Sequence, residues 1–191
     1  MAEKKNRFSE NTALIIIDVQ RGFDDPVWGT RNNPEAESNI AALLEAWRNS
    51  GRPIIHIQHN SLNMESPLHP DSPGNAIKEI VKPDAGEHVV TKSVNSAFIG
   101  TDLEEILRDK GYETLVITGL TTNHCVSTTA RMAANLGFKT YVVSDAVAAF
   151  DRIDHTGKHY TAEEIHDISL ANLHDEFAEI LDSQSVLADL E

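Results

Sequence analysis

The sequence predicts an α/β domain in which a mostly parallel sheet is covered by helices on both faces. Continuous apolar, β-prone runs at residues 12–17 and 114–117 lack the alternation of a half-exposed strand, which favours strands buried on both sides. Segments with helical spacing lie between the strand-like runs, and this rhythm is typical of a parallel sheet. Right-handed crossover connections then place the helices on both faces.

Local patterns define the individual elements. The predicted strands cover residues 12–17, 53–59, 87–91, 114–117, 139–145 and 177–181. Apolar residues at helical spacing predict helices over residues 34–50 and from Cys125 to Leu136. Capping-box patterns predict two further helix starts at Thr101 and Thr161, and residues 186–190 are predicted as a last helical turn. The long segment 60–83 is rich in Pro, Ser, Asn and Gly and is predicted as a loop, as is the polar segment 151–160.

Composition limits the class of protein. A chain of 191 residues suits one domain over residues 1–191, and we expect the polar residues 1–10 to be flexible. A single cysteine cannot form an intrachain disulfide, and the N-terminus has no apolar signal segment, so a cytoplasmic location is expected. No apolar run approaches the ~18 residues of a membrane span. The net charge of −14 argues against a nucleic-acid partner and leaves a small molecule as the expected ligand.

The only cysteine, Cys125, lies between a predicted strand and a predicted helix. This position places its thiol near the first turn of the helix, where unpaired N–H groups and the helix dipole stabilise a thiolate. We therefore expect a reactive thiol whose pKa is lowered toward neutrality. The alternative is a buried cysteine that acts only as a small hydrophobic side chain.

Three chemically complementary residues fall at the carboxyl ends of predicted strands, namely Asp18, Lys92 and Cys125. An open parallel sheet gathers these ends along one edge, where ligands bind. A thiolate is a nucleophile, a carboxylate can take and return its proton, and an ammonium favours both anions. Taken singly, Asp18 could be a turn residue and Lys92 a surface lysine, but the three together predict an active site.

His56 and His59 suggest a metal site, but their spacing opposes it. Residues three apart in a strand point to opposite faces of the sheet, so the two imidazoles would not converge. We therefore expect no metal and no other cofactor. His59, at the carboxyl end of its strand, remains a candidate for lining a pocket.

Three separated motifs give the chain a clear family resemblance. They read Ile-Ile-Ile-Asp18-Val-Gln20-Arg-Gly-Phe23, then Lys92-Ser-Val-Asn-Ser-Ala97-Phe98, then Thr118-Gly119-Leu-Thr-Thr-Asn123-His-Cys125-Val126. In this order, over about residues 10–185, the chain resembles the isochorismatase-like hydrolases, which include nicotinamidase and N-carbamoylsarcosine amidase. The resemblance implies a three-layer α/β/α fold with a six-stranded sheet of Rossmann-like topology, usually assembled as a homodimer or larger homo-oligomer.

The resemblance also implies roles for particular residues. Asp18, Lys92 and Cys125 would form the catalytic triad. The oxyanion hole would consist of the backbone N–H groups of Thr121 and Cys125, with a cis peptide bond between Leu120 and Thr121. The candidates for substrate binding are Phe23, Trp28, His59 and Phe98, each of which could instead be ordinary core or loop packing.

Two departures from the family refine the expected activity. Nicotinamidases carry an Asp-x-His metal motif after the second strand, whereas this chain has His56-Ile-Gln-His59 there. Isochorismatases that cleave a vinyl ether do not need the cysteine, so Cys125 favours the amidases. The sequence thus predicts a cysteine hydrolase that cleaves a C–N bond in a small amide, carbamoyl compound or lactam through a thioester. A vinyl-ether hydrolase, or a non-catalytic interaction protein that keeps the fold, are the alternatives.

Overall fold

Five helices and a six-stranded sheet form the main body of the computed structural model, which describes residues 7–190. The strands of the sheet are β1 (Thr12–Ile17), β2 (Ile54–His59), β3 (His88–Lys92), β4 (Thr114–Leu120), β5 (Lys139–Ala148) and β8 (Glu179–Leu181). A small antiparallel hairpin consists of β6 (Arg152–Ile153) and β7 (His159–Tyr160). The helices are α1 (Ala36–Ser50), α2 (Leu103–Asp109), α3 (Ser127–Asn135), α4 (Ala162–Leu173) and α5 (Ser183–Ala188).

The sheet has the strand order β3-β2-β1-β4-β5-β8, and all of its neighbouring strands are parallel. The predicted parallel fold with helices on both faces is therefore confirmed. The chain moves outward from β1 in both directions, so the order reverses between β1 and β4. In open α/β sheets, ligands bind at such a switch point, outside the carboxyl ends of the strands.

Strand β1 shows why continuous apolar runs predicted buried strands. All six of its residues are buried. Ile15 and Ile17 pack into the hydrophobic cluster on one face of the sheet, and Leu14 and Ile16 pack into the cluster on the other face. This two-sided burial fixes the register of β1, because a slip by one residue would exchange the two faces. Within the described residues, no helix is long and apolar enough to cross a membrane.

The predicted elements are reproduced with local corrections. Of residues 1–10, which the sequence predicts to be flexible, residues 1–6 lie outside the described residues, and Phe8 is fully buried against Trp47 and Tyr141. The capping box at Thr161 is confirmed. The one at Thr101 is wrong, since the cap position of α2 is Asp102, without a side-chain cap bond.

Further corrections concern the strands. The segment 151–160 contains the β6–β7 hairpin in place of a plain loop. Strand β4 extends to Leu120, three residues past its predicted end, and strand β5 likewise extends three residues further, to Ala148. Its last residues pair with the end of β4, since Val147 and Ala148 lie opposite Gly119 and Leu120. The two strands therefore continue together to the carboxyl edge.

Gly119 brings the end of β4 against β1. Its φ angle is +116°, and a Cβ placed there would lie 2.0 Å from the carbonyl oxygen of Ile17. No side chain fits at that distance, and L-residues rarely adopt that backbone conformation. The glycine thus permits the close approach of the two strands whose ends carry Asp18 and the Cys125 turn.

We predict that Gly119→Ala destabilises the fold by about 3 kcal/mol or more, because it combines a disfavoured φ angle with a clash against backbone. Urea unfolding followed by circular dichroism measures the change. The matched control is Gly137→Ala, which has a φ angle of +87° but nothing within 4 Å of the added Cβ. The control should cost only about 1–2 kcal/mol. Equal losses in the two variants would show that the contact with Ile17 has no effect.

Candidate active site

Asp18, Lys92 and Cys125 meet at the carboxyl edge of the sheet, as the sequence predicted. The Nζ of Lys92 lies 2.6 Å from Oδ2 of Asp18 and 3.4 Å from Sγ of Cys125. The side chains of Asp18 and Lys92 have no exposed surface, and Cys125 is 8% exposed. A buried ammonium therefore bridges a carboxylate and a thiol that are 107 positions apart in the chain.

Local backbone conformation aims each of these side chains. Asp18 directly follows β1 with a φ angle of +52°, a left-handed conformation that aspartate tolerates better than most residues. Lys92 is the last residue of β3, the edge strand. Cys125 lies in a single π-helical turn, Thr122–Val126, between β4 and α3. Such turns recur at functional sites in proteins.

A fourth side chain, His59, joins the cluster. Its Nδ1 lies 2.9 Å from Nζ of Lys92, and the residue is half-buried. His56 bonds Glu87 through Nε2 at 2.8 Å and lies apart from the cluster. The predicted divergence of the two histidines is confirmed. The sequence predicts His59 only as a residue that lines a pocket. Its contact with Lys92 follows from the pairing of the two residues at the ends of β2 and β3.

Burial dominates the electrostatics of the site. It raises the pKa of the Asp18 carboxyl, against the opposing charge of the Lys92 ammonium. Burial, reinforced by the negative charge of Asp18, raises the pKa of Cys125 to about 12. The expected lowering of this pKa is therefore wrong, because the thiol is enclosed and faces a carboxylate as well as an ammonium. The resting site therefore holds a protonated thiol beside the Asp18 carboxyl.

The potential ligand atoms of Asp18, His59 and Cys125 all lie within 4.8 Å of one another, close enough to hold a metal ion. However, the Lys92 ammonium hydrogen-bonds to all three residues. The positive charge of Lys92 thus lies where a metal ion would have to bind, and it would repel the ion. The residues present therefore do not fit a metal, and its absence stays a prediction.

The four candidates for substrate binding lie in three different environments. Phe23 and Trp28 pack with Phe150, with ring centroids 5.2–6.2 Å apart, in an aromatic cluster at the carboxyl edge. The indole N–H of Trp28 donates to the carbonyl of Gly22. Phe98 stacks on Phe138 in the same hydrophobic cluster as Cys125. His59 contacts Lys92, as described above.

The turn before Cys125 carries the predicted cis peptide bond between Leu120 and Thr121. The turn is also tied to α4, because the hydroxyl of Thr122 lies 3.0 Å from Nδ1 of His166, and both residues are buried. His166 is not among the site residues that the sequence predicts. Its only signal was a histidine on the inward face of an amphipathic helix, which most often marks ordinary core packing.

We predict that alkylation of Cys125 by iodoacetamide is slow at neutral pH and accelerates with pH well beyond the value of about 8.5 that is typical of a free thiol. Asp18→Asn should alkylate about tenfold faster at pH 8, because the carboxylate raises the pKa of the thiol. Lys92→Met should alkylate more slowly, since the ammonium lowers that pKa. Intact-mass spectrometry over time measures the rates. A wild-type midpoint at or below 8.5 would contradict the protonated resting thiol.

Comparisons with known proteins show the family of the chain. Residues 12–185 match the model of the isochorismatase domain. The isochorismatase family protein YrdC of Bacillus subtilis is 57% identical over 180 residues, which cover 94% of this chain and 96% of that protein. A crystal structure of an isochorismatase-family protein from Chromobacterium violaceum is 46% identical with a TM-score of 0.93, covering 96% of each chain.

One solved structure of lower sequence identity is that of a protein named for its enzymatic activity. N-carbamoylsarcosine amidase from Thermoplasma acidophilum is similar to this chain at 25% identity and a TM-score of 0.71, covering 90% of this chain and 96% of that one. The domain match spans most of the chain and includes all three strand-end motifs. The chain belongs to the isochorismatase family and is a hydrolase of that family.

Proposed function

We propose that this protein is a cysteine-dependent hydrolase that cleaves a C–N bond in a small amide, carbamoyl compound or lactam. The observation that carries the proposal is the Lys92 ammonium, which bonds both a buried carboxylate and the only thiol of the chain. A vinyl-ether hydrolase needs no nucleophilic sulfur. An interaction protein would have no use for a buried ion pair beside a thiol.

The first half of the reaction forms a thioester. Sγ of Cys125 attacks the substrate carbonyl carbon while its proton passes to Asp18, so that the tetrahedral intermediate gains one negative charge on oxygen. Asp18 then returns the proton to the leaving nitrogen, and the C–N bond breaks. Oδ1 of Asp18 is buried and has no hydrogen-bond partner among the described residues, so one carboxylate oxygen remains available for this transfer.

The second half restores the enzyme. Asp18 takes a proton from water, the resulting hydroxide attacks the thioester carbon, and the acid product leaves as the proton returns to sulfur. Lys92 stabilises each anionic form in turn, because its charge lies within hydrogen-bond distance of both groups. The backbone N–H groups of Thr121 and Cys125 are proposed to bind the oxyanion, where the loss of one donor typically costs about 10²–10³ in rate.

The substrate is proposed to lie against the aromatic cluster. Phe23 and Trp28 follow β1, and Phe150 follows β5, so all three flank the strand ends that carry Asp18 and the Cys125 turn. This aromatic cluster suits an apolar or planar group attached to the scissile amide. The contribution of Phe98 is less direct, because its ring packs into the core behind Cys125.

We predict that Cys125→Ala and Asp18→Asn each lower kcat by about 10⁴-fold or more on any amide that the wild type turns over, because nucleophile and base act as one unit. A panel of amides, ureas, carbamoyl compounds and lactams, followed by ammonia or amine release, provides the measurement. Asp109→Asn serves as a control, because Asp109 is the exposed last residue of α2 and takes part in none of the site contacts described above. Undiminished turnover by Cys125→Ala would favour vinyl-ether hydrolysis, and no wild-type turnover would favour a binding role.

We also predict that activity survives exhaustive chelation. The reason is that the lysine ammonium, and not a metal ion, neutralises the cluster. The purified enzyme is dialysed against a strong chelator and assayed, with its metal content measured in parallel. Loss of activity that a divalent cation restores would refute the metal-free mechanism.

A further inference from the structure

His59 lies beside the Lys92 side chain, where that side chain extends from β3 toward Asp18 and Cys125. In the strand order, β2 lies between β3, which carries Lys92, and β1, which precedes Asp18. Adjacent strands are about 4.8 Å apart, so the ammonium must cross the end of β2 to reach Asp18. His59 is the last residue of β2 and the register partner of Lys92, so their side chains project from the same face of the sheet.

The ammonium of Lys92 has three hydrogens and three partners. Two partners are Asp18 and Cys125, and the third is Nδ1 of His59 at 2.9 Å. An ammonium has no lone pair, so Nδ1 of His59 must accept and the ring proton must be on Nε2. The imidazole is neutral at working pH, because burial and the adjacent ammonium lower the pKa of His59 to about 4.

The main chain of His59 is held by a network of amide side chains. The fully buried Gln20 accepts from the N–H of His59 at 2.8 Å and donates to its carbonyl at 3.0 Å. Asn75 donates to the same carbonyl at 3.0 Å, and the N–H of Asn60 donates to the carbonyl of Lys92 at 2.7 Å. Gln20 belongs to the first sequence motif, and no step of the reaction above uses it. These bonds fix the point from which the His59 ring extends.

We propose that His59 is a positioning residue that holds the Lys92 ammonium between Asp18 and Cys125 through its Nδ1, with Gln20 fixing its backbone. This inference deepens the proposed function and rests on it for its catalytic consequence. Without His59, one N–H of a fully buried ammonium loses its acceptor. The lysine then turns toward other oxygens, and the charge that stabilises the thiolate is displaced.

Two conservative substitutions separate this role from direct contact with substrate. Asparagine places an amide oxygen near the position of Nδ1, whereas glutamine places its amide nitrogen near the position of Nε2. His59→Ala should lower kcat by about 10- to 100-fold, the range typical of residues that orient metal ligands through a hydrogen bond, with a smaller effect on KM. His59→Asn should recover most of that loss, and His59→Gln should behave like alanine. Recovery by glutamine and not by asparagine would overturn the proposal in favour of an Nε2–H bond to substrate.

Alkylation of Cys125 tests the same inference without any substrate. At pH 9, His59→Ala and His59→Gln should react at least about threefold more slowly than wild type, because a displaced ammonium lowers the thiol pKa less. His59→Asn should remain close to wild type. Wild-type rates in His59→Ala, together with a slowed Lys92→Met, would overturn the proposal, because Lys92 would then be held without His59. If the amide panel gives no turnover, the proposed function fails while this measurement still decides the role of His59.

Discussion

The buried ion pair between Lys92 and Asp18 is the interaction on which the arrangement of this site depends. Both side chains are removed from water, and an unpaired charge in such a place costs several kcal/mol. The pair is tolerable only because the two charges are 2.6 Å apart and Lys92 has further polar partners in His59 and Cys125. Lys92 therefore needs its three acceptors. The strands that carry them must pair in a fixed register, so that their ends place the acceptors within hydrogen-bond distance. The register of β1, β2 and β3 meets this requirement, since Ile17 pairs with Ile57 and His59 with Lys92.

The other side of the site depends on how closely β4 approaches β1. Gly119 lies directly against Ile17, the residue before Asp18, so the chain leaving β4 begins its turn beside the carboxylate. The π-helical turn then places Cys125 within reach of Lys92 before α3 begins. The same packing that buries β1 on both faces thus determines the distances at its carboxyl end. Changes at Gly119 would disturb the site through the fold and not through any direct contact with substrate.

Sequence patterns were sufficient for the parts of the structure that depend on periodicity and on chain direction. A parallel sheet forces its carboxyl ends to one edge, so Asp18, Lys92 and Cys125 could be assigned to one site before any distance was known. Their protonation could not be predicted in the same way. Position at a helix start favours a thiolate, but the enclosure of Cys125 and the nearness of Asp18 outweigh it, and both are properties of three-dimensional packing. The contact between His59 and Lys92 likewise depends on the pairing register of β2 and β3, which a single sequence does not state.

The protonated state of Cys125 has a consequence for when the chemistry begins. Burial and the negative charge of Asp18 raise the pKa of Cys125, so the thiol is protonated at rest beside the Lys92–Asp18 pair. A standing thiolate would add a second negative charge beside Asp18, which burial opposes. In the proposed reaction, proton transfer becomes favourable only when a bound carbonyl accepts the electrons of sulfur and N–H donors bind the oxyanion. The thiolate is also the form that oxidants attack, so under the proposed mechanism the raised pKa protects the only cysteine of the chain from oxidation until a substrate binds.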